Sequence, residues 1–235
     1  MGARVTAVGR ATGITNVRTD LWNVGGTYVF PPAATQMSVV STSANDTLVG
    51  TGVRSIIILY LDHNYIQQFT TLNLNGTTPV LTTPTDIIRI LKVFATAVGS
   101  GGSAAGNITI TNGGNTYARI DSTYTASRQA IGTVPANCTG FLTDVVFSGC
   151  STTVGEFIEM DLRISALDTM LLPGVFITVA TFGVSNGGIQ QLCLDPPVFV
   201  PPMTDIKITC ARTTGSGTVT AAGSFSGFLT IPLSV

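Results

Sequence analysis

Glu156-Phe157-Ile158-Glu159-Met160-Asp161-Leu162-Arg163-Ile164-Ser165 decides the fold class. Ile158, Met160, Leu162 and Ile164 fall on one side of an extended chain, and Glu159, Asp161 and Arg163 on the other. A period of two over this length describes a strand with one buried and one wetted face; a helix would scatter the same residues around its axis. Working outward, residues 130–134, 139–147, 175–184, 189–194, 205–212 and 218–232 carry further strand signals, with a Pro173-Gly174 turn ahead of 175. The run Pro196-Pro197-Val198-Phe199-Val200-Pro201-Pro202 cannot lie in a central strand, because proline brings no N–H to the ladder. It marks an edge or an extended connection. This set predicts a jelly-roll-like sandwich over 126–235.

The preceding half reads the same way. Residues 37–42, 53–61, 65–74, 77–82, 87–98, 107–111 and 116–120 are candidate strands. Asp62-His63-Asn64 and Asn112-Gly113-Gly114 are turns, and Asn75-Gly76 matches a type I′ hairpin. Loops recur at roughly the 8–12-residue spacing of all-β domains. The stretch predicts an antiparallel meander forming a first β domain over 36–125. The pattern weakens at 122–128, where a boundary or crossover is expected. Residues 1–35 show no regular period and read as an extended N-terminal arm with one or two short strands. The expected fold is therefore all-β: antiparallel β-sandwich, jelly-roll-like, in two β domains preceded by the arm.

Composition narrows the function. Eleven basic and 12 acidic residues make 10% of the 235, against the ~25% usual for soluble domains. Gly (26) and Thr (37) fill the polar share. Disorder needs more charge and less hydrophobicity than the 44% here. A net charge of −1 without basic clusters predicts no nucleic-acid partner. The purest apolar run, Ile56-Ile57-Ile58-Leu59-Tyr60-Leu61, is far short of the ~20 residues of a membrane span, so no membrane role is expected. The N-terminus lacks the apolar segment of a secretory signal; Gly2 and Thr6 match a myristoylation pattern, but no basic second signal follows.

Catalytic groupings are scarce. His63 is the one histidine and reads as an exposed turn residue. Glu159 and Asp161 share a strand face at ~7 Å, a glycosidase-like spacing. Arg163 follows on that face, however, and a solvated ion-pair row accounts for all three; Glu156, at the strand start, adds nothing specific. Cys138, Cys150, Cys193 and Cys210 form no C-x-x-C pattern and read as free or buried thiols, with disulfides as the alternative. The Gly-rich stretch 99–106 lacks the Lys-Ser/Thr ending of a phosphate loop and reads as a mobile hairpin tip. The sequons at Asn45, Asn75, Asn107 and Asn137 are expected to stay unmodified. No catalytic, cofactor-binding or metal-binding residues are assigned, and the chain is not expected to be an enzyme.

So few charges on a folded surface of ~10,000 Å² leave a neutral β surface that invites association. Trp22, Tyr28 and Phe30, on the arm, are the expected partner contacts, since aromatic side chains are favoured interface anchors; the alternative is that they staple the arm onto its own domain.

Particular strings carry a resemblance. Asp20-Leu21-Trp22-Asn23-Val24-Gly25-Gly26-Thr27-Tyr28-Val29-Phe30-Pro31 is followed by Val39-Val40-Ser41-Thr42-Ser43-Ala44-Asn45-Asp46 and Gly50-Thr51-Gly52-Val53-Arg54. Leu61-Asp62, Leu74-Asn75-Gly76-Thr77-Thr78-Pro79-Val80 and Ala97-Val98-Gly99-Ser100-Gly101-Gly102 come next. Over most of residues 20–111, and loosely at 133–136 and 205–208, this resembles a group of tailed-bacteriophage virion proteins, cyanophages included. The resemblance implies a non-enzymatic structural protein of the capsid decoration or cement type. Its expected partners are the major capsid protein or other virion proteins and further copies of itself, as a dimer or trimer. Its expected location is the virion, assembled in the host cytoplasm. A tail, neck or fibre component binding host-surface glycans is the alternative.

Overall fold

The computed structural model describes residues 3–153, 155–165 and 175–231; the expected Pro173-Gly174 turn and Gly2 lie outside them. The described residues contain no helix. Their strands are β1 (Ala3–Ile14), β2 (Thr19–Asp20), β3 (Ser38–Ser41), β4 (Val53–Leu61), β5 (Gln67–Asn73), β6 (Val80–Leu81), β7 (Arg89–Val98), β8 (Ile108–Asn112), β9 (Asn115–Ile120), β10 (Ile131–Thr133), β11 (Thr139–Ser151), β12 (Phe157–Ser165), β13 (Ile177–Ser185), β14 (Ile189–Val200), β15 (Asp205–Thr214) and β16 (Val219–Thr230). All the ladders between them are antiparallel. The chain divides into two compact units, Met1–Tyr28 with Gln129–Val235, and Val29–Arg128.

The first unit is a jelly roll. One sheet runs β1-β16-β11-β14 and the other β10-β15-β12-β13, with β2 also on β15. β2 pairs with Thr209 and Cys210, while β10 pairs with Asp205, Ile206 and Lys207. Both therefore lie end to end along β15 as two pieces of one strand. Leu21 and Ala130 close the joint: the Ala130 N–H donates to the Leu21 carbonyl at 2.9 Å, and Leu21 N–H to the Ile208 carbonyl at 2.8 Å. Counting β2 and β10 together gives eight strands ordered 1-8-3-6 and 2-7-4-5, the double-sheet jelly-roll order. The second unit is thus inserted within a single strand of the first.

Alternation builds this core. Leu142, Val145 and Phe147 of β11 and Val219, Ala221 and Phe225 of β16 face Ile158, Met160 and Leu162 of β12 and Ile206, Ile208 and Cys210 of β15, all buried. Fully burying such side chains stabilises by about 1.5–3 kcal/mol each.

The N-terminal arm is corrected. Ala3–Ile14 is a full strand paired with β16 along its length. Its inward positions are Ala7, Gly9 and Ala11, so the apolar period is present but carried by small residues that barely register as hydrophobic. Small residues are required: a Cβ on Gly9 would lie 2.0 Å from the Leu21 carbonyl oxygen and 2.4 Å from the Ala130 nitrogen.

The second unit is also two-sheeted, β6-β3-β8-β9 and β5-β4-β7, and is not the expected meander. β3 pairs with β6 and β8, and β4 with β5 and β7. Hydrophobic period assigns strands but not partners, and burial of Ile56, Ile58, Val93, Ile108, Ile110 and Ile120 selects the non-local pairing. Asn75-Gly76 does not join paired strands, and among the two only Gly76 has positive φ, so it is no type I′ hairpin. Gly113 and Gly114 (φ 58° and 84°) do form that turn, between Asn112 and Asn115.

The Gly-rich stretch is anchored, contrary to the mobile-tip expectation. Gly99 and Gly101 N–H groups donate to the Gly52 and Thr51 carbonyls at 2.7 and 2.8 Å. The Asp46 carboxylate, fully buried, accepts from Ala105 and Gly106 N–H at 2.9 Å, Val53 N–H at 2.7 Å and the Ser41 hydroxyl at 2.6 Å.

Candidate interaction surface

The outer face of sheet β1-β16-β11-β14 is the distinctive surface of the jelly roll. Small residues pave it: Ser148 on β11, and Thr220, Ala222, Ser224 and Ser226 on β16. Across one end runs an aromatic row. Phe199, Phe141 and Phe228 are register partners on β14, β11 and β16, and Arg4 of β1 continues the row beyond Phe228. Phe141 and Phe228 stack at 5.1 Å between centroids, and Phe199 meets Phe141 edge-on at 5.8 Å. Phe199 is 57% exposed and Phe228 38%. Asp144 is a carboxylate on this face, and a hydrogen bond from the Thr143 hydroxyl (2.7 Å) holds its carboxyl below the usual range. The row was missed in the sequence because its members stand far apart in the chain; an aromatic residue at the polar phase of a strand is the signal that marks each.

The expected anchors lie elsewhere. Trp22 and Tyr28 are buried in the first unit, packed edge to face at 5.0 Å, with the Trp22 indole N–H donating to the Gly26 carbonyl at 3.1 Å. Phe30, in the second unit, is half-buried with the Arg89 guanidinium 4.9 Å from its ring centre. Trp22 and Tyr28 are therefore internal packing, the stapling alternative: their rings close on each other and on the Gly26 carbonyl within the 20–28 loop.

The polar face of β12 is also not the wetted row expected. Asp161 is buried, and Arg18, from the segment read as an arm, donates to both Glu159 and Asp161. The Thr181 hydroxyl adds a 2.8 Å bond to Asp161, while Arg163 turns away to donate to the Phe176 carbonyl at 3.0 Å. Beside this cluster Lys207 Nζ sits 3.0 Å from Asp20 Oδ1, and Tyr28 N–H donates to Asp20 Oδ2 at 2.6 Å. Burial pushes the Asp20 carboxyl up, opposed by Lys207. Both carboxylates of the glycosidase-like pair are thus engaged by one guanidinium, which suits cohesion of the sheet better than proton transfer to a substrate.

His63 is exposed, with Nδ1 3.4 Å from Asp86. All four cysteines are free; Cys138 and Cys210 are buried, and burial pushes the Cys210 thiol up to about 12. Among the described residues no group of three or more His, Cys, Asp or Glu side chains is placed to hold a metal ion. Pro196 and Pro197 fall on β14, the edge of its sheet, as proline requires.

Glu156 predicts a pH effect. Its carboxylate, buried between two loops, accepts from the Ser151 hydroxyl and the Gly217 N–H, and these bonds hold its carboxyl below the ordinary 4.5. A depressed folded value means stability present above the unfolded value and lost as pH falls through the folded one. Amide exchange at 214–218 is expected to accelerate below pH 4.5 beyond the intrinsic pH trend. Glu156→Gln should abolish that acceleration; an unchanged profile in the variant would refute the assignment.

No protein-family model matches the chain, and no curated protein does. Solved structures similar to it include the infectious bursal disease virus Gx strain (10% identity, TM-score 0.30, covering 97% of this chain and 71% of that one). Infectious bursal virus derived T=1 particles follow (12%, TM-score 0.28, 97% and 69%), as does the cowpea mosaic virus top component (10%, TM-score 0.24, 89% and 90%). Scores this low carry no argument about function, and the jelly-roll assignment stands on strand pairing alone.

Proposed function

We propose that this chain is a structural protein of a virus particle, of the capsid decoration or cement type, that docks through the outer face of sheet β1-β16-β11-β14. One observation carries the reading: a sheet face paved with small residues and bearing a Phe141–Phe199–Phe228 row. Several of the chain's few charges are instead paired off at Arg18–Glu159, Arg18–Asp161 and Lys207–Asp20. The resemblance of residues 20–111 to tailed-phage virion proteins supports the same reading. Its partners are the major capsid protein or another virion protein, and copies of itself as a dimer or trimer. Many copies, each with a modest contact, hold a lattice through high local concentration. The location is the virion, assembled in the host cytoplasm, and no catalysis is involved.

The triple variant Phe141→Ser, Phe199→Ser, Phe228→Ser tests it. Removing a cluster of aromatic anchors should weaken co-sedimentation with particles about 100-fold without changing the fold by circular dichroism. Undiminished binding, or a wild-type chain recovered only in soluble lysate, would defeat the reading. The glycan-binding alternative needs ring faces open to a sugar, and Phe141 and Phe228 turn theirs to one another.

A further inference from the structure

β13 is an edge strand of a different kind from the other long edges of the jelly roll. It ends the sheet β10-β15-β12-β13, so one side of its backbone has no partner strand among the described residues. Such a row of donors and acceptors is a template for another strand, and proteins ordinarily obstruct it with proline, charge or bulges. β14 is obstructed: Pro196 and Pro197 interrupt it, and its register with β11 breaks at Leu142/Asp144. β1 has a break at Thr12/Ile14, carries Arg4 and Arg10, and is bridged at Val8 by Gln129. β13 has one irregularity, at Arg163/Leu162 opposite Val179, and then runs in regular register to Ser185. Val175-Phe176-Ile177-Thr178-Val179-Ala180-Thr181-Phe182-Gly183-Val184-Ser185 contains neither charge nor proline.

The flank of the sandwich at this edge is incompletely closed. Val179, Ala180 and Phe182 of β13 and Leu194 and Val198 of β14 pack against the core but remain partly exposed. Ile177 and Phe157 stand further out, at 42% and 43%. Phe157 lies directly over Gly183, where a Cβ would come within 2.1 Å of its ring.

We propose that β13 pairs antiparallel with β13 of a second copy of this chain, about a twofold axis. What fits an open strand edge is another strand, and strand neutrality selects a copy. In an isologous contact residue i of one copy meets residue j of the other and j meets i, so a strand carrying charges of one sign would set them against one another across the axis, and this one carries none. The inference deepens the self-association part of the reading above and does not need the particle face. A strand pair alone covers less than the ~800 Å² per partner of a stable complex. The free dimer is therefore weak, and becomes firm where a surface concentrates the copies.

Sedimentation equilibrium of the full chain from about 10 to 500 µM, bracketing a Kd of about 100 µM, is the test. The mass should rise from 24.3 kDa toward twice that value, with concentration-dependent amide protection confined to residues 177–185. In an antiparallel pair the start of one strand meets the end of the other. Thr178→Glu with Ser185→Glu should then weaken association about tenfold, like charges being set across the axis. Thr178→Glu with Ser185→Lys should restore it. A monomer throughout, protection elsewhere, or equal behaviour of the two variants would overturn the proposal; should the variants misfold, the wild-type protection map decides it. Undiminished particle binding in the triple Phe variant with this dimer intact would sink the docking reading and leave this one standing.

Discussion

Asp46→Ala is expected to unfold the Val29–Arg128 unit at moderate temperature. The carboxylate is fully buried and accepts three backbone N–H groups and one hydroxyl, drawn from Ser41, Val53, Ala105 and Gly106. Alanine leaves those donors without partners and out of water, at about 1–3 kcal/mol per group. A total of about 4 kcal/mol is a large part of the ~5–15 kcal/mol stability of a domain. A drop in Tm of about 20 °C is the expected size for a unit of this length. The environment cannot relax cheaply, because a Cβ on Gly52 would already lie 2.1 Å from Asp46 Oδ1. Asp46→Asn keeps one acceptor oxygen but points an amide donor at other donors, and should fall between. Calorimetry of the full chain reads the result; a shift under a few degrees for Asp46→Ala would show that the carboxylate is not what anchors the Gly-rich loop.

Lys207→Met has the second largest expected effect. Lys207 and Asp20 are both buried, with contacts of 3.0 and 3.1 Å, and Lys207 also lies 4.3 Å from the Phe176 ring centre. Removing one partner of a buried pair costs about 3–5 kcal/mol, since the remaining charge is uncompensated. Burial already pushes Asp20's carboxyl upward with Lys207 present, and without the ammonium it rises further. A raised folded value makes the acid more readily protonated in the folded state, so the variant's stability should fall as pH climbs from 3.8 through that value and then level off. Adding Asp20→Asn should recover most of the loss. If urea unfolding gave the single and double variants the same stability, the buried-charge account would be wrong.

Much of the sheet content was legible from period alone. Ile158, Met160, Leu162 and Ile164 do face the core. The same period misled about the opposite face, because polarity does not distinguish a residue facing water from one facing Arg18. β1 escaped notice since Ala7, Gly9 and Ala11 alternate without bulk. The aromatic residues before the inserted unit left two readings open for a related reason: an aromatic residue in an irregular segment reads equally as a partner contact or a staple, and the packing of Trp22 on Tyr28 is the staple.

By itself the sequence determined that this chain is a β protein with little charge and a scarcity of catalytic groups, because side-chain period and composition are local properties. Only the tertiary structure decided that two fragments a hundred residues apart make one strand. It also decided that three distant phenylalanines make one row, and that a neutral strand is left at an edge. Each of these is a matter of which backbone pairs with which, and pairing is settled by how the whole core is buried, not by any stretch of chain alone.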